Sequence, residues 1–236
     1  MSTDVATGRL DHARFDIEMV AETPIEVFRL GSCAKEPETI AWIEASVRRG
    51  DVLYDIGANV GAYSLVADRQ MEGEGRVYAF EPGFSTYPTL VRNVFLNHCE
   101  GRVVPLSVAL ADTSALLPIT YSTLEAGGAM HSFGAEGDGQ PWQLVVSFAL
   151  DEMRERFRLE QPNHIKLDVD GAELLVLRGA RATLADPAFR SLLVEVTESQ
   201  PETAEIVALA EAAGLELRSR HFHARSGVSN FVFVRP

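Results

Sequence analysis

Short apolar runs recur along this chain, and between them apolar residues fall back to every third or fourth position. The runs predict buried strands and the wider spacing predicts helices with one buried stripe. Residues 15–30 (FDIEMV, ETP, IEVFRL) read as a short hairpin or extended arm. Glu36-Pro37 then opens a helix striped by Ile40, Ile43 and Val47 and stopped at Gly50. Val52 to Tyr54 predicts the first central strand, 62–69 a helix, 76–80 the second strand and 102–110 the third. Between the last two, Ser85 caps a helix striped by Leu90, Val91, Val94 and Phe95.

The alternation then breaks. ALLPITYS and QLVVSFAL both read as strands. TLEAGGAMHSFGAEGDGQPW between them holds Gly127, Gly128, Gly134, Gly137 and Gly139. A connection of that length in a compact domain is commonly functional, so 120–142 is expected to be a mobile flap over a substrate site. Alternation resumes with a helix at 151–157, the strand HIKLDVDG, a helix at 172–184, the strand SLLVEV and a helix at 201–213. LELRSRHF and NFVFVRP close the chain as two strands joined by a short turn, hence antiparallel.

Strand–helix repeats imply an α/β fold, a doubly wound and mostly parallel sheet with helices on both faces. The expected organisation is an N-terminal extension of hairpin plus helix, 1–49, packed on a main domain, 50–236. Ligands of such sheets bind beyond the carboxyl ends of the strands, where strand order reverses. Asp55, Glu81, Asp112, Asp168 and Glu195 all fall at or near those ends.

Composition narrows the function classes. The 236 residues carry a formal charge of −13, and Lys35 and Lys166 are the lysines, so a nucleic-acid partner is not expected. No apolar stretch approaches the ~20 residues that span a bilayer, and MSTDVATGRLDHARF has no apolar signal core. A soluble, cytoplasmic protein without membrane contact is expected. Cys33 and Cys99 are too few for a disulfide framework, and Cys99 reads as packing.

The chemistry concentrates in DVLYDIGANVG, followed twenty residues later by Glu81 at the end of VYAFEP. Gly57 and Gly61 flank Asn59, and turns without Cβ atoms admit a ligand to the backbone. An acid ending the second strand suits ribose hydroxyls. The dinucleotide fingerprint G-x-G-x-x-G would place a pyrophosphate here. Asn59 replaces its middle glycine, and Asp55 would repel a phosphate. Asp55 would instead suit a ligand with an ammonium at that end, as in S-adenosylmethionine. A nicotinamide-dependent oxidoreductase is the rival enzyme, and a catalytically silent cofactor-binding scaffold the rival from another class.

DVLYDIGANVGAYS, VYAFEP, the helix with Asn93 and Asn97, VALAD, HIKLDVDGAE, VLRGA and LVEV together resemble the FkbM-type methyltransferases over about residues 50–200. The resemblance implies a Rossmann-like, seven-stranded class I fold that uses S-adenosyl-L-methionine, with methylation of hydroxyl oxygens on sugars or natural products. It implies that Asp55, Gly57, Asn59 and Gly61 surround the methionine part, that Glu81 accepts the ribose hydroxyls and that Asp112 meets the adenine amino group. This chain reads DVDGAE where many relatives have DVEGAE, so Asp170 carries a carboxylate shorter by one methylene.

In IKLDVDG, Lys166, Asp168 and Asp170 alternate and would share one face if the strand runs that far. Methyl transfer needs an aligned oxygen and a group to take its proton. Asp168 is the first candidate base or substrate anchor, followed by Asp170 and Glu173, with Lys166 holding Asp168 or pairing with Glu195. Asp168, Asp170 and Glu195 are also oxygen donors of the kind Mg2+ takes, though the spacing does not select for a metal. His131, in the flap, is a candidate base. His164 should lie at the far end of its strand, and His221 and His223 alone make a poor metal site. The N-terminal arm and the flap are the expected contacts of a homodimer.

Overall fold

A computed structural model describes residues 5–128, 131–134, 139–224 and 226–236. Gly137 and the remainder of the 135–138 segment, with 129–130, lie outside the described residues, so the flap is seen only in part.

The chain begins with the hairpin β1 (Thr7–Arg9) and β2 (Glu18–Val20), then α1 (Pro24–Arg29), α2 (Ser32–Lys35) and α3 (Pro37–Ser46). IEVFRL is therefore helical rather than the second arm of a hairpin. The cause is a capping box: Thr23 accepts the Glu26 N–H at 3.1 Å, and Glu26 accepts the Thr23 N–H at 2.9 Å. Pro24 suits the first helical turn, where a missing N–H costs nothing.

The central elements follow as β3 (Val52–Ile56), α4 (Ala62–Gln70), β4 (Arg76–Phe80), α5 (Tyr87–Leu96) and β5 (Val103–Leu106). Thr86, not Ser85, precedes α5, and the exposed Phe95 is not part of its buried stripe. The expected third strand is two strands. β5 ends at Leu106, and β6 (Ala109–Ala111) joins a second sheet with β7 (Ala115–Thr120), β8 (Ser132–Phe133) and β9 (Trp142–Ala149), ordered β6-β9-β7-β8.

The chain continues through α6 (Leu150–Phe157), β10 (His164–Leu167), α7 (Glu173–Arg178), α8 (Arg181–Ala185), β11 (Ser191–Val196), α9 (Glu202–Ala212), β12 (Glu216–His223) and β13 (Val228–Val234). The single helix expected over 172–184 is broken at Gly179. A Cβ there would lie 2.1 Å from the Ala111 carbonyl, so glycine permits α7 to press on β6.

Among the described residues the large sheet has seven strands, ordered β12-β13-β11-β10-β3-β4-β5. The pairs among β3, β4, β5, β10 and β11 are parallel, whereas β13 runs antiparallel to both its neighbours. Strand order reverses between β3 and β10, whose register sets Asp55 against Lys166.

One face buries Tyr54, Phe80, Leu167, Phe189 and Phe231 beneath α6 to α9. The other buries Leu53, Val66, Leu90 and Val103 together with Ile17, Met19 and Trp42 of the extension. Asn93 fastens that extension, taking the Val20 N–H at 2.7 Å and donating to the Val60 carbonyl at 2.8 Å. Among the described residues no helix is long and apolar enough to cross a membrane.

Candidate active site

The turn after β3 is tied to β4, since the Gly57 and Ala58 N–H groups both donate to the Phe80 carbonyl. Gly57 (φ +79) and Gly61 (φ +89) adopt the left-handed backbone expected of them. The side on which a Cβ would stand is filled by protein. A Cβ at Gly57 would stand 1.7 Å from the Asp168 carbonyl oxygen, and one at Gly61 would stand 2.5 Å from Leu90. These glycines let α5 and the segment following β10 approach the turn.

Asn59 also has positive φ, at 51°, and its N–H and side-chain amide are all engaged. Its N–H donates to Glu81 Oε2 at 2.9 Å, its Oδ1 accepts the Val60 N–H, and its Nδ2 donates to the Gly128 carbonyl at 2.7 Å. Asn59 thus joins the turn, the acid after β4 and the first part of the flap.

Glu81 is buried, and each of its oxygens receives one backbone N–H, from Asn59 and from Gly83 at 2.8 Å. A Cβ at Gly83 would fall 2.7 Å from Oε1, so glycine is what lets the carboxylate reach that N–H. Burial drives the Glu81 carboxyl up to about 7, against the two hydrogen bonds that favour its charged form.

The fourth strand ends at Leu167, so Lys166, Asp168 and Asp170 do not share a strand face. Asp170 has φ of 55° and is exposed, because the chain turns sharply before Gly171. Glu173 holds that turn by accepting the Val169 and Gly171 N–H groups, a structural part rather than the base considered for it. Lys166 is sealed inside, 3.4 Å from Asp168 and 3.8 Å from Asp55, with the Tyr63 ring 5.1 Å from its Nζ. Burial alone would lower its pKa, but Asp168, Asp55, Glu36 and Glu195 together raise it. Lys166 is therefore a fixed cation, not a proton acceptor, and it meets Asp168 rather than pairing directly with Glu195.

Asp55 is fully enclosed. Ser64 donates to its Oδ2 at 2.6 Å, while its Oδ1 has no hydrogen bond. Burial raises its pKa, Lys166 and Ser64 oppose that, and Asp168 adds to it. The ammonium that this acid called for is met inside the protein by Lys166. Asp168 reaches from this interior toward the surface, its side chain 30% exposed.

The described part of the flap is fastened over the turn. Arg29 of α1 donates to the Gly127 carbonyl through Nε at 2.9 Å and Nη2 at 2.7 Å, and the Gly127 N–H donates to Thr86 Oγ1. The His131 N–H donates to Asp170 Oδ2 at 3.1 Å, and its ring lies edge-on to Tyr121 at 4.9 Å. Burial and the nearby Arg29 lower the His131 pKa. Tyr121 in turn accepts the Phe84 N–H. Asp170 is thus brought to His131, and Asp168 to Lys166. Arg29 and Tyr121 were not singled out from sequence. The Thr23-x-x-Glu26 box would have revealed the helix that carries Arg29.

Other residues fall elsewhere. Asp112 is exposed on the turn between β6 and β7. His164 is buried with Asp51 at 3.0 Å and Ser191 at 2.7 Å, at the amino end of its strand as expected. That trio has the composition of a hydrolase triad, but no member is open to a substrate. Among the described residues, Asp168, Asp170 and Glu195 are not gathered within reach of one ion. Cys33 and Cys99 are free and buried, and burial pushes each thiol up to about 12.

Glu81 fits the nucleoside half of S-adenosylmethionine. A carboxylate offers about four lone-pair directions, and two backbone N–H groups use only part of them. What remains suits two adjacent hydroxyl donors, and a buried carboxylate gains from each.

The family model described as the methyltransferase FkbM domain matches residues 55–217. The hexuronic acid methyltransferase AglP of Haloferax volcanii is 29% identical over 184 residues, 78% of this chain and 70% of that protein. The 31-O-demethyl-FK506 methyltransferase FkbM of Streptomyces tacrolimicus is 27% identical over 197 residues, 71% of this chain and 74% of that protein. Among solved structures, methyltransferase FkbM from Methylobacillus flagellatus superposes with a TM-score of 0.57 at 16% identity, covering 89% of this chain and 52% of that one. The chain spans about half the length of that structure. Aeropyrum pernix fibrillarin with natively bound S-adenosyl-L-methionine gives 0.52 at 16% identity, covering 84% and 74%.

Proposed function

The chain belongs to the FkbM methyltransferase family, and from that premise we propose that it moves the methyl group of S-adenosylmethionine onto a hydroxyl oxygen of a small molecule, a sugar or natural product. The relatives support this acceptor class: one is named for a hexuronic acid and one for 31-O-demethyl-FK506. The observation that carries the reading is Glu81, a buried carboxylate held by the Asn59 and Gly83 N–H groups with acceptor capacity to spare. Glu81 binds the ribose hydroxyls. The Gly57–Gly61 turn lies along the methionine part, with Asp55 and Lys166 fixing the turn from behind. Asp112, on its exposed turn, is assigned to the adenine amino group by the family pattern alone.

The cofactor supplies an activated methyl group with a neutral thioether as its leaving group. Attack by the acceptor oxygen on that methyl group would form the C–O bond as the C–S bond breaks, the bond pair leaving with sulfur, at a site held by Glu81 and the Gly57–Gly61 turn. The chain's own task is to align that oxygen and take its proton. Asp168 is the anchor and first candidate base, because Lys166 fixes one of its oxygens and its side chain reaches outward. His131, joined through its backbone to Asp170, is the second candidate. A lowered pKa keeps its imidazole neutral and able to accept a proton near pH 7. No step is assigned to Mg2+, and cytoplasmic location and self-association are part of the reading, not of its support.

Titration calorimetry with S-adenosylmethionine and S-adenosylhomocysteine should give binding that Glu81→Ala removes. Transfer of a labelled methyl group should follow with sugars, uronic acids or macrolides as acceptors. Unchanged affinity in Glu81→Ala would sink the site assignment. Labelling of amine acceptors alone would sink the O-methylation reading.

A further inference from the structure

On the outer edge of the large sheet, Glu38, in the first turn of α3, meets His221 and His223 of β12. The two histidines stand at alternate strand positions and point to the same side, ring centroids 5.0 Å apart. His223 Nε2 lies 2.6 Å from Glu38 Oε1 and His221 Nε2 lies 3.6 Å from Glu38 Oε2. One donor atom from each residue falls within 4.8 Å of the others. A second observation points to a ligand here: Glu38 Oε2 is buried yet makes no hydrogen bond, since His221 stays outside that distance. A buried carboxylate oxygen without a partner is costly.

We propose that Glu38, His221 and His223 bind one divalent transition-metal ion of the zinc type. Two imidazole nitrogens and one carboxylate oxygen form a donor set that zinc takes with three protein ligands, leaving a fourth position for water. The exposure agrees, with Glu38 and His223 side chains 15% and 17% exposed and His221 51% exposed, so the open position faces solvent. Hard ions such as Mg2+ prefer all-oxygen sets, which this is not. Each imidazole binds through Nε2 in its neutral form, carrying its proton on Nδ1.

Asn230 completes the arrangement. It is buried, it donates from Nδ2 to Glu38 Oε1 at 2.7 Å, and it lies 3.3 Å from His223 Nε2. Such outer partners orient the ligands, and replacing them commonly changes metal affinity by about 10–100-fold. Asn230 is also the ladder partner of both His221 and Glu195. Because β12 runs parallel to β11 and ends beyond it, the ion would sit at the carboxyl edge of the sheet. It would clip α3 of the extension to the terminal hairpin, elements 185 residues apart in the chain.

The proposal does not depend on the methyl acceptor. The test is calorimetric titration of ZnCl2 into the tag-free, chelator-treated full chain, with Co2+ absorption as a second readout. One equivalent should bind, Co2+ should give the visible bands of a low-coordinate site, and melting temperature should rise with zinc. His221→Ala, an exposed position that leaves folding intact, should weaken zinc by more than about a hundredfold, beyond the usual effect of an outer partner. Asn230→Ala should weaken it about 10–100-fold. Equal zinc affinity in wild type and His221→Ala, or no saturable binding in the wild type, would overturn the site.

Discussion

Lys166 carries Asp168 on a 3.4 Å ion pair while remaining closed to solvent itself, so the interior fixes an acid that reaches the surface. The same ammonium is the nearest cation to Asp55, which is wholly buried. Breaking a buried pair from one side typically costs about 3–5 kcal/mol, because a charge is left uncompensated. Lys166→Met should therefore lower unfolding free energy in urea by that order. Asp55 already has a raised pKa, so its folded form holds a proton that the unfolded chain loses at lower pH. Without Lys166 that raise grows, and stability should fall more steeply as pH rises. A variant as stable as the parent, with an unchanged pH slope, would contradict the arrangement.

Glu81 gives a second pH signature. Its carboxyl titrates near 7 in the folded chain against an ordinary 4.5. Between those values the folded state binds more protons, so the contribution to stability is present below 4.5 and disappears as pH climbs through about 7. Ribose hydroxyls donate to the charged form, so binding of S-adenosylmethionine below pH 7 should release a proton and weaken with acidification. Glu81→Gln should flatten that dependence and cut affinity by at least about a hundredfold, from two hydrogen bonds to a charged group. Calorimetry in buffers of different ionisation enthalpy reads the proton directly.

Asp168→Asn and His131→Phe separate chemistry from cofactor binding. If Asp168 takes the proton, its variant should lose about 10²–10⁴-fold in kcat with cofactor affinity kept within a few-fold. If His131 takes it, its variant shows that loss instead. In that case the acid limb of the wild-type rate profile should lie below 6.5, since burial and Arg29 lower the imidazole pKa. Full activity in both variants would remove both from the proton path.

Gly57→Ala should destabilise the fold even without ligand. The new Cβ meets the Asp168 carbonyl at 1.7 Å and the backbone there has positive φ. Overpacking of this kind costs about 1–3 kcal/mol or more, readable as a lower denaturation midpoint. A variant that loses only cofactor affinity would mean the glycine serves the ligand after all.

The alternation over 50–106 and again over 150–213 was legible because the apolar runs of β3, β4, β5, β10 and β11 are parallel strands of one sheet, and the acids at their ends followed. The break at Leu106 was not, since 103–110 is apolar except for Ser107, although β5 and β6 serve different sheets. IEVFRL is too short for its period to separate strand from helix, and the Thr23–Glu26 reciprocity decides for the helix. Lys166 looked like one member of a strand face, whereas Asp170 is turned away by a left-handed backbone that non-glycine residues seldom adopt. Glu38 could not be joined to His221 and His223 from sequence, because the fold alone brings positions so distant together.

The contact between Gly57 and the Asp168 carbonyl has a wider reach than the stability of a turn. It abuts the loop assigned to the methyl donor against the segment that offers the acceptor its acid, main chain to main chain, with no side-chain volume between. If the donor lies along that loop and the acceptor meets Asp168, the distance between them is built into the scaffold. On the proposed assignment, changes in the flap or at Asp170 would retune which molecule is chosen while the trajectory of transfer stays the same.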